Sequence, residues 1–185
     1  MTTNGTTFAG GTVAMTNVAG TVVSGTNCSS ETTSGTCAVI FNATAMKPGA
    51  ADRTNTVAIA YTGTLATSDF RLFATAYTSK DAASSALCTA ADPASKLNVQ
   101  VKQGTTIVFP TSGTGYGTLA AFATTYTSTT NGLQLKGGAN GSGTAGVWAA
   151  SDSSTFTINV NLDTTADDPY QGCKSVATIA WYAAQ

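Results

Sequence analysis

Phe156, Ile158, Val160 and Leu162 alternate with Thr155, Thr157, Asn159 and Asn161, the period-two pattern of a strand with one buried and one wet face. The ten residues from 163 to 172 (DTTADDPYQG) are dense in turn formers, and Val176 to Ala183 then supplies a second β-rich run. The two runs read as core strands joined by a polar loop. No long stretch of the chain carries a helical period; only Leu119, Ala120, Phe122 and Ala123 have helical spacing, enough for one short helix.

The same alternation recurs upstream. Cys37, Val39 and Phe41 give a strand, as do Val57, Ile59 and Tyr61, and Leu97, Val99 and Val101 pair with residues 105–109 as a hairpin around Gly104. Phe8 to Thr16 and Ala19 to Ser24 read as two short strands with Asn17 as punctuation between them. Phe70 to Tyr77 has apolar side chains on both faces and reads as a central strand covered on both sides. Asp81 to Ser95 reads as a loop or a single helical turn, and Lys136 to Ser154 as a long loop anchored by Trp148. About ten short strands separated by turn signals predict an all-β protein, a jelly-roll-type antiparallel β-sandwich with at most one or two short helices.

Composition narrows function. Charged residues make up 9% of the chain and Thr occurs 36 times, against roughly 25% charged in an ordinary soluble domain. Hydroxyls and amides therefore supply the polar surface, which points to a secreted, extracellular protein. A net charge of −1 without a basic cluster offers nothing to neutralise phosphates, so nucleic acid is excluded as a partner. The long uncharged runs are filled with Thr, Ser, Gly and Asn rather than apolar residues, so no membrane insertion of the mature form is expected. The N-terminus has no basic region followed by an apolar one, and a secretory signal is expected to have been removed before Met1.

Cys28, Cys37, Cys88 and Cys173 are even in number, which in such a chain favours two disulfides over free thiols. Three pairings are possible. The turn at residues 31–35 brings Cys28 and Cys37 together and leaves Cys88 with Cys173; buried, reduced cysteines are the alternative.

The chain has no histidine. Ser-His-Asp and Cys-His nucleophile pairs, imidazole zinc sites and HExxH helices are therefore excluded. Carboxylate chemistry would have to rest on one Glu, Glu31, and eight Asp residues placed mostly at turns, so the expectation is no enzyme, no cofactor and no resident metal. Asp163, Asp167 and Asp168 form an acidic loop of a kind that can hold calcium, though their spacing matches no EF-hand. Trp148, Tyr116 and Tyr126 could stack on a sugar ring; each also reads as a loop anchor. Asn4, Asn27, Asn42 and Asn140 open N-x-Ser/Thr triplets, common by chance in a Thr-rich chain.

Three ordered pieces carry a resemblance. The segment FAGGTVAM at 8–15, the turn MKPGA at 46–50 with YTGTL at 61–65, and YQG at 170–172 with the terminal WYAAQ resemble, in order and placement, the TasA and camelysin family of secreted biofilm fibre proteins. In that likeness Lys47, Pro48 and Gly49, and Tyr170, Gln171 and Gly172 of a C-terminal strand, are structural motif positions. The resemblance implies a jelly-roll subunit, residues 11–185, that polymerises into biofilm-matrix filaments by donor-strand complementation. Residues 1–10 would be the donor segment, in which Thr2, Thr3, Asn4, Gly5, Thr6, Thr7, Phe8, Ala9 and Gly10 complete the sheet of the next subunit. The implied partner is a second copy, head to tail, with accessory or anchoring biofilm proteins. The alternative is a monomeric secreted carbohydrate-binding or adhesion module. The family's acidic residue after Pro-Gly is Ala50 here, the four cysteines set the chain apart, and the metalloprotease activity described for camelysins has no histidine to support it.

Overall fold

The computed structural model describes residues 46–184 together with the backbone of residues 15–19. The donor segment Thr2–Gly10, Cys28, Cys37 and the strand expected at residues 37–41 lie outside the described residues. Nine strands are assigned: β1 (Met15–Ala19), β2 (Arg53–Tyr61), β3 (Asp69–Thr78), β4 (Leu97–Gln103), β5 (Thr106–Phe109), β6 (Gly117–Thr118), β7 (Leu133–Gln134), β8 (Ser153–Leu162) and β9 (Val176–Ala184). One α-helix, α1 (Leu119–Thr125), and three single turns of 3-10 helix complete the described fold.

The strands form two antiparallel sheets. The larger runs β1-β2-β8-β4-β5, with β6 also on β4, and the smaller runs β7-β3-β9. The alternation expected for β8 holds over its first half, where Ser154, Phe156 and Ile158 are buried and Ser153 and Thr155 face water, but Asn159, expected on the wet face, is buried beside Val160, and Leu162, expected inside, is only half-buried. In the larger sheet Val57, Ile59 and Tyr61 of β2, and Val99 and Val101 of β4, share the inner face of β8. Phe70, Leu72 and Ala74 of β3 meet them across the core. Connections are of jelly-roll type, because the chain crosses between the sheets on either side of β3, on either side of β7 and again between β8 and β9, so most sheet neighbours are distant in sequence. This is the expected all-β, jelly-roll-type antiparallel sandwich.

Local chemistry explains several boundaries. Thr118 caps α1 by accepting from the Ala121 amide at 3.0 Å, and the helix buries Leu119, Phe122 and Ala123. Its Phe122 stands edge-on to Phe109 at 5.0 Å, closing one end of the core. In the MKPGA turn the Ala50 amide donates to the Lys47 carbonyl at 3.1 Å and Gly49 takes φ +71°, a left-handed conformation that glycine adopts without strain. Trp148 anchors the 136–154 loop as expected: it is fully buried and stacked on Phe70 at 4.1 Å.

Three expectations are corrected. β1 spans residues 15–19 and runs straight through Asn17, which therefore does not separate two strands. β3 is central but buried on one face only; Phe73, Thr75 and Tyr77 on its other face are half-buried. Tyr170, Gln171 and Gly172 are not a strand, for Tyr170 ends a 3-10 turn and β9 begins only at Val176. Pro169 sits inside that turn and cannot donate to a ladder. Gly172 has φ +67°, and a Cβ there would collide with Ser85.

Candidate functional site

The edges of the two sheets differ in how they are protected. On β4, the outer side is occupied in line by β5 and β6, and β5 is four residues long and followed directly by Pro110. A short strand ending in proline is a poor template for further pairing. On β3, the side away from β9 is taken by the two residues of β7 and by the Ala74 amide, which donates to the Tyr126 carbonyl at 2.8 Å.

β1 and β9 each have one described neighbour, and β9 is the longer, nine residues against five. It pairs with β3 from Asp69↔Ala184 to Thr78↔Val176, with one irregularity between Thr75 and Thr78, and the Ser68 amide extends the ladder by donating to Ala184 at 2.8 Å. Among the described residues no strand lies on its other side. Its nine residues, VATIAWYAA, include no charge and no proline, the devices that usually keep an edge from pairing.

Its inner face is also under-covered. Ala177, Ile179, Trp181 and Ala183 pack against the core, yet each is only half-buried. Trp181 leans on Phe156 at 5.7 Å, and its Nε1 is buried without a hydrogen-bond partner. Burying a donor unpaired costs about 1–3 kcal/mol. Trp148 Nε1 is in the same state.

The start of β9 is held firmly. Cys173 is bridged to Cys88, with Cα atoms 4.8 Å apart. Around the bridge the Asp81 amide donates to Lys174 (2.9 Å) and the Ser85 amide to Gly172 (2.9 Å). The Thr89 and Ala90 amides share the Pro169 carbonyl at 3.0 and 2.9 Å. Tyr170, Gln171 and Gly172 thus seat the Cys88 loop against the base of β9. Lys47, Pro48 and Gly49 lie at the far end of the larger sheet, where Pro48 bridges to Leu162.

The acidic loop is organised for itself. Asp163 accepts from the Thr165 hydroxyl (2.5 Å) and amide (2.8 Å), and these bonds hold its carboxyl below the ordinary carboxylate value. Asp168 accepts from Gln171 at 2.9 Å. Among the described residues no group of three or more His, Cys, Asp or Glu side chains could hold a metal ion, and no helix is long and apolar enough to cross a membrane.

The three aromatic candidates separate. Trp148 is fully buried, so its large apolar surface is spent inside the sandwich and it presents no face to a ligand. Tyr126 is half-buried among Phe109 and Phe122. Tyr116 alone is exposed, at 39%, and its hydroxyl donates to Asp52. That contact joins residues far apart in sequence and carried no local signal. Of the glycan triplets, Asn140 is exposed and its Oδ1 accepts from the Thr155 amide at 3.1 Å; Asn4, Asn27 and Asn42 lie outside the described residues. No protein-family model and no curated protein matches the chain.

Proposed function

We propose that the chain is a secreted, non-enzymatic structural subunit that polymerises head to tail into extracellular biofilm-matrix filaments, as its resemblance to the TasA and camelysin family implies. The strand comprising Thr2 to Gly10 of one subunit adds along β9 of the next. The observation that carries this reading is β9 itself, nine residues without charge or proline and with no described strand on its outer side. A strand laid on such an edge gains a row of backbone hydrogen bonds, and its side chains cover the half-buried Ile179 and Trp181. The contact is heterologous and does not close on itself, so it propagates as a filament. The Cys88–Cys173 bridge supports the extracellular placement, since disulfides persist in oxidising compartments.

Negative-stain electron microscopy of the purified protein tests the reading. Filaments are expected from the full chain, and only monomers from a variant lacking residues 2–10 and from Thr178→Lys. Monomers alone under every condition, or unchanged filaments from both variants, overturn it.

A further inference from the structure

The outer face of the larger sheet carries a second candidate site, unrelated to the β9 edge. Two cross-strand rows of amides run over it. In the first, Thr54 donates to Asn159 Oδ1 (2.8 Å), Asn159 donates to Gln100 Oε1 (3.1 Å), and Gln100 Nε2 donates to the Gly115 carbonyl (2.6 Å). In the second, Asn98 Nδ2 donates to Asn161 Oδ1 (3.0 Å), and Asn161 Nδ2 donates to Asp52 Oδ1 (2.8 Å). The Tyr116 hydroxyl takes the other carboxylate oxygen, Asp52 Oδ2.

These bonds fix an exposed aromatic ring in place. Tyr116 is held at its hydroxyl by Asp52, on its N-terminal side by the Gln100–Gly115 bond, and on its C-terminal side by β6, where Gly117 pairs with Val99. Partial burial and the Asp52 hydrogen bond push the phenol up to about 12, so it stays protonated and donating at any physiological pH. The polar groups beside the ring keep spare capacity. A carboxylate accepts about four hydrogen bonds and an amide nitrogen donates two. Asp52 therefore retains acceptor positions, while the Asn161 amide also reaches the Tyr116 hydroxyl and the Asn98 amide also reaches Asp163. Next to them lies a shallow hollow lined by Met46, Lys47, Ala50, Ala51, Arg53 and Leu162, with Asn161 on its rim.

A ring face beside paired acceptors and donors matches one ligand chemistry in particular. A sugar ring has an apolar C–H face and a rim of hydroxyls, each of which donates and accepts. We propose that Tyr116, Asp52, Asn161 and Asn98 form a binding site for a neutral hexose polymer, the sugar stacking on Tyr116 while vicinal hydroxyls bridge Asp52 and the two asparagines. The affinity of such an open, single-ring site is weak, on the order of millimolar. The site lies on the sheet face rather than along the β9 edge and is independent of whether filaments form.

Titration of the chain carrying Thr178→Lys, which keeps it monomeric, with cellohexaose, laminarihexaose and maltohexaose, followed by amide and tyrosine-ring NMR shifts, tests the proposal. At least one of the three is expected to move the resonances of Asp52, Asn98, Tyr116 and Asn161. Tyr116→Ala is expected to weaken that binding at least about tenfold, as loss of an aromatic contact does. Tyr126→Ala, at a ring packed among Phe109 and Phe122, should leave it unchanged. The proposal is overturned if none of the three sugars moves those residues at about 10 mM. It is equally overturned if Tyr116→Ala, with its amide spectrum otherwise native, binds as the parent does.

Discussion

β8 and β9 are ten and nine residues long, carry no charge, and follow one another in the chain, yet they occupy opposite kinds of position. β8 lies between β2 and β4 and buries Phe156 and Ile158 almost completely, whereas β9 has one neighbour among the described residues and leaves Ile179 and Trp181 half-buried. The same residue types thus meet two environments. What separates them is the number of strands alongside, and that is set by where the chain changes sheet rather than by the local sequence. Among the described residues, β9 is thus a strand of core composition with a single partner.

The largest test of the contrast uses one substitution in both strands. Ile158→Ala should cost about 2–5 kcal/mol in a denaturant melt, because it leaves a cavity between well-packed neighbours. Ile179→Ala should cost about 1–2 kcal/mol, since less of its surface leaves water on folding. Equal losses would break the comparison. Cys88→Ser with Cys173→Ser probes how firmly the base of β9 is held. Loss of the bridge, whose ends are 85 residues apart, should lower stability by about 2–4 kcal/mol. A change below about 0.5 kcal/mol would mean that the surrounding hydrogen bonds suffice without it.

Thr178→Lys sharpens the contrast in another way. On the exposed face of β9 it should alter monomer stability by no more than about 0.5 kcal/mol while abolishing filaments, since a lysine on an edge opposes pairing. The smallest effect lies just past β8. Asp163 is held below its ordinary value by Thr165, and a depressed carboxyl contributes stability that is present above the unfolded value of about 3.9 and is lost as pH falls through the folded one. An NMR titration should find Asp163 protonating below that value, and Thr165→Ala should bring it back up. A parent value at or above the ordinary one would remove Thr165 as the cause.

Much of the fold was legible from alternation. β2, β4 and β8, the hairpin across Gly104, the short helix at Leu119 and the anchoring role of Trp148 all follow from periodicity and side-chain size, which act locally. The Cys88–Cys173 pairing agrees with the one expected by leaving the short Cys28–Cys37 turn to itself. Three things were hidden. Asn17 looked like a break because its side chain favours turns, but pairing of β1 with β2 overrides that preference. The sequence of β9 reads as a core strand, and nothing within it says that one side has no described neighbour. Tyr116 could not be told from Trp148 or Tyr126 as a surface aromatic, because the distinction rests on a hydroxyl meeting Asp52, 64 residues away. Periodicity reports which face of an element is apolar; it is silent on which elements end up side by side.

The Cys88–Cys173 bridge also has a mechanical consequence. It encloses β4, β5, β6, α1, β7 and β8 in one covalent loop, leaving β9 just outside it. When the chain is pulled from its two ends, the enclosed residues cannot extend, which withholds roughly 290 Å of contour at about 3.4 Å per residue. Tension arriving at β9 therefore passes through two sulfur atoms to the Cys88 loop, bypassing the centre of the larger sheet. A chain wired in this way can lose β9 under load while the greater part of its sandwich stays wound.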